Sequence, residues 1–133
     1  MAVAIGSKEG QREHDWGFTG ISVADAAGDD ETIIVEAGKE GYLDINHCRA
    51  LITTAVVSTT TDGVINIRKG ATVIGTATLL NGTAKNTLIT FTPATGFEQG
   101  VNFTAGDTIV IASTLAVGTP AGVATVFLAL DMN

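Results

Sequence analysis

A single cysteine, Cys48, stands in a chain of 133 residues. It excludes an intrachain disulfide and any zinc site of the Cys-x-x-Cys kind. A small buried hydrophobe is the expected role for it. Aromatic residues make up 5% of the chain, with one Trp and one Tyr. That is few for a sugar-binding sandwich, which stacks rings on exposed aromatics. Basic residues number 7 against 14 acidic ones, for a net charge of −7. A surface of this sign repels phosphate backbones, so nucleic acid is not an expected partner. No apolar run approaches the roughly 20 residues of a membrane-spanning helix, so no membrane is expected either. Lys8-Glu9 follows a short apolar opening with no longer apolar stretch, so no leader peptide is expected. Sustained helical spacing of apolar residues is missing as well.

What is present favours strands. Hydrophobic residues are 45% and charged residues 16% of the chain, a globular composition that can bury a core. The apolar part is mostly small or β-branched, and 16 Gly and 20 Thr stand against two Pro. This is the composition of strands and turns. The length suits one domain. Charge is unevenly spread: residues 1–49 hold ten acids and four bases, residues 50–133 four acids and three bases. Residues 1–30 have no sustained period and are interrupted by Gly10, Gly17 and Gly20. They read as an extended N-terminal arm, with one short strand at 20–24. The only Trp lies within it.

From Glu31 the pattern changes to that of a β-sandwich, residues 31–133. Residues 31–36 read as a strand. Residues 42–47 alternate, with Leu43, Ile45 and His47 on one side. Residues 49–58 form a longer β-branched run. Asp62-Gly63 and Asn81-Gly82 are hairpin signals, because tight hairpin turns need positive φ. Residues 64–69 point Ile65 and Ile67 inward, and residues 71–80 follow. Residues 86–92 form a strand halted by Pro93. Residues 101–103 are a short edge strand. Residues 107–113 form a strand with Ile109 and Ile111 inward. A turn at 118–121 leads to the last strand, 122–130. That strand is apolar on both faces: Val126, Leu128 and Leu130 on one, Phe127 and Ala129 on the other. A strand of this kind lies in a central layer or at a subunit interface. An oligomer interface through Val126, Phe127, Leu128 and Leu130 is the expectation.

No constellation suggests catalysis. His47 and Cys48 are adjacent on an expected strand and so face apart. His14-Asp15 sits in the arm. Asp25, Asp29, Asp30 and Glu31 read as a solvated acidic stretch rather than a calcium loop. Asp107, after Gly106, reads as a turn cap that accepts nearby backbone N–H groups. Gly118-Thr119-Pro120-Ala121-Gly122 lacks the Lys and the helix of a phosphate loop. No metal, no cofactor and no enzymatic activity are expected. Trp16 and Phe18 are candidate anchors of the arm on a partner.

Three stretches carry a resemblance. The first is a strand pair, Ile65-Asn66-Ile67-Arg68-Lys69-Gly70 running through Gly75-Thr76-Ala77-Thr78-Leu79. The second is Phe103-Thr104-Ala105-Gly106-Asp107-Thr108-Ile109-Val110-Ile111. The third is the closing strand, Gly122-Val123-Ala124-Thr125-Val126-Phe127-Leu128-Ala129-Leu130. With Glu40-Gly41-Tyr42-Leu43 ahead of them, residues 38–130 resemble small virion proteins of tailed bacteriophages, the capsid decoration or cement proteins. The resemblance implies an all-β fold, an antiparallel β-sandwich with a jelly-roll-like core. It implies a structural protein on the capsid surface of a virion, with the major capsid protein as partner and a homotrimer as the assembly. The alternative is a carbohydrate- or receptor-binding module of a tail fibre or other virion part.

Overall fold

Alternation with a period of two runs through most of the chain, and strands follow it. In the computed structural model the described residues are 13–22, 30–34, 40–59, 63–114 and 118–132; side chains are described within 40–56, 63–113 and 122–131. The strands are β1 (Glu13–Ser22), β2 (Asp30–Ile34), β3 (Gly41–Leu43), β4 (Arg49–Thr59), β5 (Gly63–Lys69), β6 (Thr72–Leu79), β7 (Leu88–Thr90), β8 (Thr92–Pro93), β9 (Val101–Phe103), β10 (Thr108–Thr114) and β11 (Gly118–Met132). Among the described residues the only helical element is one 3₁₀ turn, Ile45–His47. The fold is all-β, with two antiparallel sheets. One runs β7-β4-β11-β3-β9, with β1 on β11; the other runs β2-β10-β5-β6-β8.

β11 organises the first sheet. β4 pairs with its residues 118–127 and β3 with its residues 130–132, so these two lie end to end along one edge. β1 pairs from Glu13↔Asp131 to Ser22↔Val123, which places it on the other edge. Six steps from Leu43 to Arg49 match only three from Leu130 to Phe127. The 3₁₀ turn absorbs the surplus. Here the expected strand over 42–47 is corrected. The Asp44 carboxylate accepts the Asn46 N–H at 3.1 Å, a local bond that turns the chain out of the ladder. Ile45 stays buried, whereas His47, expected beside it, is exposed.

Both sheets contribute to a shared core. Ile52, Ala124, Val126, Leu128 and Leu130 of the first sheet join Ile65, Ile67, Leu79, Ile109 and Ile111 of the second. Each fully buried Ile or Leu contributes about 1.5–3 kcal/mol relative to exposure. β5 and β6 form a hairpin through Gly70, whose φ of +59° is one that glycine adopts without strain. Ile67 faces Gly75 while Arg68 faces Val73, so Ile74 is an extra, bulged residue. The bulge explains why neighbouring Ile74 and Gly75 are both buried, against the simple alternation.

The two hairpin signals do not make hairpins. β4 belongs to the first sheet and β5, which opens at Gly63, to the second, so these two strands do not pair; Asp62 lies outside the described residues. Asn81-Gly82 does turn, with Gly82 at φ +89°. The chain then runs back beside β4, where Gly82 donates to Val56 and Val56 donates to Thr83. The expected strand over 86–92 divides at buried Phe91: β7 pairs with β4 and β8 pairs with β6. Pro93 is tolerated because β8 is an edge strand. Residues 118–121, expected as a turn, open β11 with shifted register. Residues 13–22 of the expected arm are paired as β1, rather than a short strand at 20–24. The expected change near residue 30 falls at the start of β2.

Candidate docking face

The pleat of β4 sends Ala50 and Ile52 into the core and Arg49, Leu51 and Thr53 to the outer face of the first sheet. Register then builds rows across that face. Leu88 of β7, Leu51 of β4 and Thr125 of β11 form one row; Thr90, Arg49 and Phe127 form the next. Leu88 is 60% exposed, while Leu51 and Phe127 are half-buried. A lone exposed leucine is ordinary; here Leu88 adjoins half-buried Leu51, with Phe127 diagonal to it and buried Thr125 between, which makes this face the candidate docking surface.

The polar frame of this face is local. Arg49 Nη1 donates to the carbonyls of Asn46 and Cys48, each at 2.7 Å, and so closes the end of the 3₁₀ turn. Thr53 Oγ1 donates to the Val123 carbonyl at 3.2 Å, tying β4 to β11. His47 Nδ1 lies 2.6 Å from the Asp44 carboxylate. The Tyr42 hydroxyl donates to the Gln99 carbonyl, and Asn46 Nδ2 donates to the Glu98 carbonyl at 3.2 Å. These contacts strap the loop before β9 onto the turn.

Comparison with family models, with curated proteins and with solved structures gives no match. The chemistry must therefore be read from the side chains themselves. Among the described residues no group of three or more His, Cys, Asp or Glu converges to hold a metal ion. Cys48 is buried, and its thiol donates to the Asp44 carbonyl at 3.4 Å. Asp107 caps its turn, as the sequence suggests: its carboxylate accepts the Thr104 N–H at 2.8 Å and the Thr104 hydroxyl at 3.2 Å. Lys69 Nζ lies 3.7 Å from the same carboxylate. The Thr104 N–H, chiefly, holds the Asp107 carboxyl below its ordinary value; partial desolvation opposes this, and the Thr104 hydroxyl and Lys69 support it.

The candidate site residues are divided by the fold. Val126, Leu128 and Leu130 are buried in the chain's own core. Phe127, between them in sequence, is on the outer face next to Arg49. Trp16 is opposite Leu128 and Phe18 opposite Val126 in the β1–β11 ladder; their side chains lie outside those described. His14 and Asp15 are opposite Leu130 and Ala129. Asp30 and Glu31 open β2, opposite Ala112 and Ile111; Asp25 and Asp29 lie outside the described residues. Leu51 and Leu88 are the members that sequence reasoning missed. The signal for Leu51 was present in Ala50-Leu51-Ile52, apolar on both faces like the last strand.

Proposed function

We propose that this chain is a structural virion protein of a tailed bacteriophage that binds the outer surface of the capsid and cements the shell. The observation that carries the reading is the apolar outer row formed by Leu88 and Leu51, with Phe127 beside it, on the sheet whose inner face closes the core. A cement protein acts by burying surface across seams between capsid subunits, so that the shell resists the pressure of packed DNA. It needs a rigid body and an adhesive face, not a reactive centre. The three stretches that resemble decoration proteins fall on β5–β6, on β9–β10 and on β11. Among the described strands only β3–β4 and β5–β6 are sequence neighbours in one sheet, while the others alternate between sheets, which supports a jelly-roll-like reading. The major capsid protein is the partner, a homotrimer is the assembly, and the virion surface is the location. In this reading Trp16 and Phe18 stay the candidate anchors on the partner, carried by β1 along the edge of β11 rather than by a free arm.

The test is co-sedimentation of the purified protein with undecorated procapsids and expanded capsids. Saturable binding with a fixed number of copies per shell is expected, and deleting residues 2–20 should weaken it. Absence of saturable binding to either shell, with selective retention on a glycan array, replaces this reading with the carbohydrate-binding alternative.

A further inference from the structure

We infer that Asn81 is a latent modification site, a self-deamidating asparagine that the folded chain holds in check through the bond between Gly82 and Val56. The site is independent of the decoration reading.

Asn81-Gly82 is the chain's single Asn-Gly pair. Glycine carries no side chain to shield its backbone nitrogen, whereas bulkier residues follow Asn46, Asn66, Asn86 and Asn102. Asn81 and Gly82 are both exposed, so water reaches them. The reaction needs only that water. The Gly82 nitrogen bonds to Asn81 Cγ, the Cγ–Nδ2 bond breaks, and Nδ2 leaves as ammonia with the proton that Gly82 gives up. Water then opens the resulting cyclic imide at either carbonyl, leaving aspartate or isoaspartate. In sum, one water is consumed, ammonium is released, and the chain gains one negative charge.

Attack requires the Gly82 nitrogen to shed its proton and turn toward Cγ. In the fold that N–H donates to the Val56 carbonyl at 2.7 Å. A bond made by the protonated form resists loss of the proton. The lock is wider than one bond. Val56 N–H donates to the Thr83 carbonyl at 2.9 Å, and the Leu80 carbonyl accepts the Thr83 N–H at 3.1 Å and its hydroxyl at 2.7 Å. Farther along, Asn86 N–H donates to the Ile52 carbonyl at 2.6 Å and Ile52 N–H to the Thr87 carbonyl at 2.9 Å. Residues 82–87 are thus zipped along β4 from Val56 to Ile52, ahead of the edge strand β7. Exposed backbone pairing of this kind opens at lower cost than the core, and each opening frees the Gly82 nitrogen. Isoaspartate places an extra backbone carbon between residues 81 and 82. The bonds of Gly82 and Thr83 to Val56 then lose their register, in the run that leads to Leu88.

The full-length protein is aged in mildly alkaline buffer, beside the same chain unfolded in guanidinium chloride and a synthetic peptide of residues 78–86. Conversion at Asn81 is followed by peptide mapping with mass spectrometry. The peptide and the unfolded chain should convert at similar rates, and the folded chain roughly tenfold or more slowly. Equal rates in the folded and unfolded chains overturn the proposal. Amide hydrogen exchange tests the lock itself, without any substitution. Exchange and deamidation both need the Gly82 N–H released, so folding should slow deamidation at least as much as it slows exchange at Gly82. An unprotected Gly82 amide overturns the lock. The aged, more acidic form is separated by anion exchange, and its isoaspartate fraction should have lost protection at the Val56 amide. Full protection there overturns the claim that the modification unzips the segment from β4.

Discussion

Gly75→Ala probes a close contact between β6 of the second sheet and the 3₁₀ turn of the first. Gly75 is buried in β6, opposite Ile67 of β5 and Pro93 of β8. A methyl group there would fall 2.7 Å from Ile45 Cγ2 and 3.4 Å from Ile45 Cδ1, with the Thr92 carbonyl at 3.6 Å. Carbon atoms prefer about 3.5–4.0 Å, so Ile45 must move, and Ile45 is fully buried. Overpacking of this kind costs about 1–3 kcal/mol. Replacing a strand glycine recovers about 0.5–1 kcal/mol of backbone entropy. A net loss of about 1–2 kcal/mol is expected, read as a lower urea midpoint at unchanged slope. Ile45→Ala alone should cost about 2–5 kcal/mol. It also removes the atoms that the new methyl group would meet. In that background Gly75→Ala should therefore be neutral or stabilising, a coupling of about 1–2 kcal/mol between the two sites. Equal losses in both backgrounds would refute the contact, and with it the packing of the 3₁₀ turn of one sheet on β6 of the other.

Two further outcomes follow from named contacts. The Asp107 carboxyl is held below its unfolded value, so its contribution to stability is complete above the unfolded carboxylate range. It is lost as pH falls through the lower folded value. Asp107→Asn should flatten that acid limb in thermal melts taken across the pH range, and an unchanged limb counts against the cap. Leu88→Asp alters an exposed position, so urea stability should stay within about 0.5 kcal/mol. Affinity for the shell should fall sharply; equal affinity by co-sedimentation removes Leu88 from the docking face.

Much of the fold was legible because its signals are local. Ile65 and Ile67 alternate within β5, and Ile109 and Ile111 within β10, and all four are buried as the alternation requires. The Asp107 cap could be read from Gly106 and the polar residues around it. What escaped was set by distant partners. Asn81-Gly82 supplies a turn, but nothing local states that the chain returns beside β4 rather than β6. The bulge at Ile74 lets two neighbouring residues face the core. Asp44 breaks the strand over 42–47 with its own side chain, a choice that alternation alone does not reveal. The docking face was half-legible for the same reason. Phe127 stood out in a two-sided apolar strand, but only register brings Leu88 next to Leu51. The same register places Val126, Leu128 and Leu130 opposite to Phe127, in the core.

The most direct measurement is the temperature at which DNA-filled heads rupture, recorded with the shell bare and then saturated by this protein. Cementing across seams predicts a higher rupture temperature that rises with occupancy and levels off when the sites are full. Full occupancy with no change in rupture temperature would contradict it.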